Sequence, residues 1–451
     1  MSPAQSRKSR LKDTGPPLSP LPPPLKTPEG VWRWVLPVLL LLYIGLAATH
    51  AGSVPTGNTG YQNAPDEAAH VAYAQSIAAG HLPTKVEVDQ DPKKQSYEWH
   101  QPPLYYLLAR CFLPFGPKGM RAVSILCGLA GILLIYRAGR LLLPDYPLAG
   151  IVAAGIAALT PGHIAITSTV NNDALLEVCF SGVLLLWISA LRSGFTLWRA
   201  GWIGIVISAA ILTKLTGLLL LPLALLALIL LWRNGESPAD IGRGAAWMLL
   251  LVLLVCGWWF VRDYRLYGEW VPVGAFSSAF SGTVRSQDVV SGRIPIPGGE
   301  SWAGYAWLVL RWTFMSFWAV FGTPRSALIG APVFLPDQVY WLMGLVCVAA
   351  FCGLVKLHLE RKSAFTEVQR YALWILFATL GLVTLSLALF LRQYFQPQGR
   401  YLYPAMLPIC LMLALGWRAV FPQRYANAAC GGLLAFLAVL AVAFIRYVLP
   451  P

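Results

Sequence analysis

Runs of apolar side chains long enough to cross a bilayer return again and again along this chain of 451 residues. A hydrocarbon core takes about 20 helical residues to cross. Lipid offers no partner to an open backbone amide, so such runs fold as helices that satisfy their own hydrogen bonds. The expected fold class is therefore an all-α polytopic membrane protein. With 57% apolar and only 12% charged residues, no block larger than a loop reads as a soluble domain.

The apolar runs start near residues 32, 121, 148, 174, 200, 216, 245, 337, 369, 403 and 428, which predicts about 11 transmembrane helices. Residues 1–30 are rich in Pro and Ser and carry Arg7, Lys8, Arg10, Lys12 and Lys26. They read as a disordered cytoplasmic tail, followed by a membrane domain over 31–451. A cleaved signal peptide is the alternative, since small residues follow the first run near Ala47 to Gly52. The run from Val31 to Ala51 is long enough to stay as a span, which favours an uncleaved helix.

A net charge of +14 in a soluble protein would suggest nucleic acid. Here the basic residues sit at span ends (Arg137 and Arg140, Arg192 and Arg199, Arg233 and Arg243, Lys356 to Arg370, Arg418 and Arg424), where they set orientation. No nucleic-acid partner is expected. The bias puts those turns inside and the loops 52–120 and 266–336 outside, with the working face outward. The Trp-rich stretch from Tyr305 to Phe321 breaks the parity of the count and reads as a re-entrant or interfacial helix. The 8 cysteines lie in or beside apolar runs without metal-type spacing, as small buried hydrophobes.

The chemistry-bearing residues gather in the outer loops. In Pro65-Asp66-Glu67-Ala68-Ala69-His70, Pro65 is placed to begin a helix at its first position, with Asp66 and His70 one turn apart and Glu67 beside them. This predicts interfacial helices in the first outer loop, with two carboxylates and an imidazole converging. The plainer reading is that acidic residues in a first turn favour the helix dipole and the His is merely packed. A second group, Tyr97-Glu98-Trp99-His100-Gln101-Pro102-Pro103-Leu104-Tyr105-Tyr106, follows and suits a polar ligand held between aromatic walls.

These motifs, in the order tail, span, Pro-Asp-Glu-x-Ala-His loop, Gln-Pro-Pro-Leu-Tyr-Tyr, Arg-initiated span and late Gln398-Gly399-Arg400-Tyr401, resemble the GT-C superfamily of membrane glycosyltransferases. The similarity is greatest to the protein mannosyltransferase and aminoarabinose transferase type. The resemblance implies a GT-C-like fold in a bacterial inner membrane and transfer of a sugar from a polyprenyl-phosphate donor to an envelope glycan, lipid or protein. Asp66 is then the general base, with Glu67 helping to hold acceptor or metal. Arg400, after a Gly that lets backbone approach closely, is the first candidate for the donor phosphate, and Lys214 the second.

His70, Glu98, His100, Gln101, Tyr105, Asp173 and Tyr401 are candidates to contact substrate. Asp173, in Asn171-Asn172-Asp173, also reads as a helix cap. Arg262-Asp263 reads first as a local ion pair. No cofactor is required by the motifs; a divalent metal is left open, with Asp66 and His70 as its candidate ligands. The rival functions are a lipid-linked-sugar flippase or transporter, which predicts polar or broken helices at mid-membrane and inverted repeats, and a non-catalytic envelope-assembly protein.

Overall fold

In the computed structural model, residues 29–56, 64–90, 97–321, 333–360 and 365–448 are described. The tail expected over 1–30 lies, up to residue 28, outside them. The chain runs through α1 (Trp32–Ser53), α2 (Glu67–Ala78), α3 (Lys85–Gln90), a 3₁₀ turn Tyr97–His100, α4 (Leu104–Ala109), α5 (Gly116–Leu142), α6 (Pro147–Leu159), α7 (Pro161–Thr167), α8 (Asp173–Ser193) and α9 (Leu197–Thr213). It continues through α10 (Leu220–Arg233), α11 (Pro238–Tyr267), α12 (Val273–Ala279), α13 (Ser286–Val290), α14 (Trp302–Ala319), α15 (Asp337–Glu360) and α16 (Glu367–Leu391). A 3₁₀ helix Gly399–Ala405, then α17 (Met406–Val420) and α18 (Gln423–Val448), complete it.

Among the described residues, 9 helical segments are long and apolar enough to cross a membrane. The bent pair α6–α7, turned by 67° at Thr160, makes up to 10, and α9 is an apolar helix of 17 residues. These segments coincide with the eleven runs read from sequence, though length alone certifies fewer. Pro161 explains the bend: it cannot donate to the helix before it and pushes Thr160 into extended geometry, φ −75° and ψ 114°.

Three helices at the basic end start on hydroxyl caps. Thr196 accepts from Arg199 N at 3.3 Å, Ser237 from Asp240 N at 3.5 Å and Thr366 from Gln369 N at 3.3 Å, with Gln369 returning a bond to Thr366 N. Small residues bring helices together: a Cβ on Gly139 would stand 2.6 Å from Gly150 Cα, so α5 and α6 touch backbone to backbone.

The core is built from apolar faces of α1, α5 to α11 and α14 to α18. A second, smaller cluster, with Tyr73, Ile77, Tyr105, Tyr106, Met120 and Val123, seats α2 and α4 on α5. The region of Tyr305 to Phe321 forms α14 and then β1 (Val320–Phe321), which pairs antiparallel with β2 (Val333–Phe334), Val320 opposite Phe334. Of the 8 cysteines, all unbridged, Cys111 and Cys352 are exposed and Cys347 is partly so, while the other five are buried.

Candidate active site

The ends of α8, α9 and α16, the start of α2 and the 3₁₀ helix at Gly399 meet at one end of the bundle. Asp66 precedes α2 with φ +63° and ψ 6°, the left-handed conformation, and is the only non-glycine residue among those described to do so. Asp is one of the few side chains that tolerates this region. Strain of this kind persists where the surroundings dictate it. Here they do: Oδ2 accepts from Arg400 Nη2 at 2.6 Å and Oδ1 from the Tyr97 hydroxyl at 2.8 Å. The helix begins at Glu67, so Pro65 is not its first residue as the sequence suggested; the turn at Asp66 intervenes.

Arg400 is buried and reaches three groups. Besides Asp66, its Nε donates to Gln398 Oε1 at 2.6 Å, and Nη1 lies 3.7 Å from Asp173 Oδ2. Lys214, in the extended break between α9 and the next 3₁₀ turn, donates to Asp173 Oδ1 at 2.5 Å. Both cations lie near the Tyr401 ring, at 5.6 Å for Lys214 and 5.3 Å for Arg400. Two cations and two carboxylates from four distant stretches of sequence thus interlock.

Burial works to raise the Asp66 carboxyl, but the Arg400 guanidinium, His70 and the hydrogen bonds from Arg400 and Tyr97 together outweigh it and hold the group at about 2, below its ordinary 3.8. Burial lowers His70, whose Nδ1 shares a 2.9 Å hydrogen bond with the Tyr106 hydroxyl. Burial also lowers His100, to about 3, so its imidazole is neutral. The Glu98 carboxyl is pushed up by burial.

These groups line a cavity of about 160 Å³ with Tyr97, Gln101, Asn172, Phe276, Phe280, Thr283, Phe390, Tyr394, Gln396 and Tyr401. Its roof comes from the segment that follows α11, held down by backbone bonds from Phe395 N to Val284 O at 2.9 Å and from Ser286 N to Gln393 O at 3.2 Å. A second cavity of about 170 Å³ shares Lys214, Phe390 and Tyr401 with the first and runs along Leu176, Val383 and Leu387, between α8 and α16. A polar, aromatic chamber therefore adjoins an apolar groove, with Lys214 at the junction.

Of the residues singled out from sequence, Asp66, His70, Glu98, His100, Gln101, Lys214, Arg400 and Tyr401 line the chamber, and Asp173 lines the groove. Two lie elsewhere. Glu67 turns away from Asp66, and its fully buried carboxylate accepts from Arg121 Nε at 2.8 Å, Arg121 Nη2 at 2.6 Å and Val170 N at 2.9 Å. The left-handed turn at Asp66 sets it apart from the helix that begins with Glu67, so the two carboxylates diverge, and both oxygens of Glu67 are engaged away from the chamber. Tyr105 is likewise buried, its hydroxyl shared with Ser124 at 2.7 Å and accepting from Asn171 N at 2.9 Å. It holds the Asn171-Asn172-Asp173 turn and does not line the chamber.

Asn172 does not cap α8 through its side chain; Asn171 Oδ1 instead accepts from Asp173 N at 2.8 Å. Arg262 pairs with Asp263 at 3.0 Å and caps Pro83 O at 2.9 Å, the local role expected. Among the described residues no group of three or more His, Cys, Asp and Glu side chains converges as metal ligands do. Asp66 is occupied by Arg400 and Tyr97, and His70 by Tyr106, so this pair does not form a ready donor set. Sequence reasoning passed over Phe276, Phe280 and Phe390, and gave Tyr97 and Tyr394, which lie in its motifs, no role of their own. The spacing of Phe276 and Phe280, one helical turn apart, was the available signal.

Residues 100–259 match the family model described as dolichyl-phosphate-mannose-protein mannosyltransferase. No curated protein matches the chain in sequence. Among solved structures, the Archaeoglobus fulgidus oligosaccharyltransferase AglB, in complex with an inhibitory peptide and a dolichol-phosphate, superposes with a TM-score of 0.54 at 13% identity, over 93% of this chain and 56% of that one. The same organism's oligosaccharyltransferase with a tethered acceptor peptide gives 0.50 at 14% identity, again over 93% and 56%. ArnT from Cupriavidus metallidurans bound to undecaprenyl phosphate gives 0.40 at 18% identity, over 86% and 76%. The chain thus spans just over half the length of the oligosaccharyltransferase it resembles. The chain is thus a multi-pass membrane protein by its apolar helices, similar in fold to the archaeal oligosaccharyltransferase, with a mannosyltransferase pattern over residues 100–259.

Proposed function

We propose that the protein is a membrane glycosyltransferase that moves a single sugar from a polyprenyl-phosphate donor to a hydroxyl of an envelope glycan, lipid or protein. The observation that carries this reading is the junction at Lys214, Arg400 and Tyr401, where a polar chamber holding Asp66 meets an apolar groove between spans. A prenyl chain fits the groove, its phosphate fits the two cations, and the sugar is left facing Asp66. The dolichol-phosphate held by the AglB structure of the same fold agrees with a donor of this class.

In the reaction, the acceptor oxygen forms a bond to the anomeric carbon while the bond from that carbon to phosphate oxygen breaks, and the electron pair leaves on the phosphate. Arg400 and Lys214 stabilise the charge gathering there. The acceptor proton passes to Asp66. As it rests, Asp66 is a poor base because Arg400, with His70 and Tyr97, holds it near 2. Phosphate competes for the same guanidinium, so donor binding draws Arg400 off and strengthens the base only when there is something to transfer. Tyr97 keeps Asp66 oriented through the other oxygen.

Basic turns at the far end of the bundle support a cytoplasmic position for that end and an outward-facing site. The bent α6–α7 pair is the feature that favours a lipid-linked-sugar flippase instead. A transfer assay in lipid with a panel of polyprenyl-phosphate sugars separates the two. Asp66→Asn keeps a side chain that tolerates the left-handed turn, so the protein stays folded and turnover falls by roughly three orders of magnitude. Undiminished turnover in Asp66→Asn removes the base, and donor translocation that persists in it without transfer favours the flippase.

A further inference from the structure

At the basic end of the bundle, where α15 and α17 finish and α18 begins, lies a cavity of about 300 Å³. Ligand pockets occupy about 300–1,000 Å³. Lys356 of α15 and Arg418 of α17 line it, together with Leu357, Leu415 and Tyr146 from the turn before α6. Neither cation is ion-paired with a described residue; the Arg418 guanidinium stands 4.6 Å from the centre of the Tyr146 ring, which holds it at the wall. Asp145 and Glu367, acidic residues of the adjoining turns, are exposed and outside the lining. Phe421, Pro422 and Gln423 add the start of α18, a helix of 26 residues with no acidic residue in its first turn, so its dipole also favours an anion. On the span that leads up to Lys356, Phe351 and Val355 stand one turn apart and are 65% and 40% exposed, as side chains facing lipid tails are.

We propose that this cavity binds an anionic phospholipid by its phosphate. Arg418 takes two phosphate oxygens in parallel and Lys356 snorkels to a third, while an acyl chain lies along Val355 and Phe351. Basic pockets between spans, at the level where the spans end, are suited to such headgroups. Cations in a last helical turn also answer the helix dipole, but that role needs no cavity shared with a third span. Phosphatidylglycerol brings a net negative charge to the two cations. Phosphatidylcholine brings its own ammonium, which neutralises the phosphate and meets Lys356 and Arg418 with like charge.

The test titrates the full chain, in neutral detergent, with phosphatidylglycerol, phosphatidylcholine and soluble glycerol phosphate, and resolves bound copies by native mass spectrometry. Phosphatidylglycerol should bind roughly tenfold more tightly than phosphatidylcholine. Each cation contributes about fivefold, so Lys356→Gln or Arg418→Gln should weaken one bound phosphatidylglycerol by about that factor, and the two together by about 25-fold. Arg424→Gln removes the same charge from an exposed position of α18 outside the cavity, and should change binding less than about twofold. An unchanged thermal midpoint without lipid reports folded variants, and the exposed Lys356 carries the test alone should Arg418→Gln unfold the chain. Equal losses in Lys356→Gln and Arg424→Gln, or equal binding of the two phospholipids, overturn the site. Displacement of phosphatidylglycerol by glycerol phosphate at equal concentration overturns the lipid as its ligand in favour of a free phosphate ester.

Discussion

Asp66 and Glu67 are adjacent in sequence and have opposite fates. Asp66 keeps 32% of its side chain exposed and faces the chamber, while Glu67 is sealed against Arg121. Because Arg400, with His70 and Tyr97, lowers the folded-state pKa of Asp66 from 3.8 to about 2, the carboxylate contributes stability that is fully present above about pH 4 and is lost as pH falls toward 2. Arg400→Gln removes the guanidinium's share of this contribution. Its thermal midpoint should lie below wild type near neutrality, and the two curves should converge on acidification; parallel curves between pH 6 and 2.5 contradict the pairing. Exposure of Asp66 keeps the effect modest. At Glu67 the effect should be large: Glu67→Ala leaves a buried guanidinium unpaired, at a cost of about 3–5 kcal/mol. Adding Arg121→Met should not restore stability, since Arg121 also donates to the carbonyls of Ala51 and Val54 at 2.6 and 2.8 Å, which then lose their donor. Denaturation in detergent measures both, and full recovery in the double variant would refute this account.

Among the elements, the 3₁₀ helix Gly399–Ala405 decides where Arg400 points. It is wedged against α14: Gly399 N donates to Ser316 Oγ at 2.7 Å, and a Cβ on Gly399 would collide with the backbone of Phe317. Gly399→Ala should therefore push the helix off α14 and displace the guanidinium. A shift of about 1 Å at a reacting centre can cost roughly 100-fold, so turnover should fall by that order with Arg400 itself intact. Gly432→Ala, where nothing stands within 4 Å of the new methyl, is the matched control. Equal activities would mean that the wedge does not position Arg400. The Gly before Arg400 was visible in the sequence as a place of close backbone approach. Its partner, the Trp-rich α14, was visible only as a helix that did not fit the span count. Their contact joins positions more than eighty residues apart, and no periodicity encodes it.

At the scale of the whole molecule, the spans place the acidic and aromatic chamber at one end and the basic turns at the other. In a background with the exposed Cys111 and Cys352 replaced by Ser, a membrane-impermeant thiol reagent should label Gly298→Cys in intact cells and Gly235→Cys only after lysis. Both are open glycine positions with positive φ, in loops assigned to opposite faces. The reverse pattern would invert the orientation and place the site inside. The sequence by itself determined the helical membrane fold, the approximate course of the spans and most chamber residues, because apolar length, flanking charge and unusual polar groups are local properties written one residue at a time. It grouped Glu67 and Tyr105 with the site because it could register only nearness along the chain. Tertiary structure decided their removal to Arg121 and to the Asn171 turn, the entry of Phe276 and Phe280 from a distant loop, and the grip of Arg400 on a carboxylate 334 positions away. The direction a side chain takes, and the partner it finds, depend on which helices pack together, and that is a property of the assembled bundle alone.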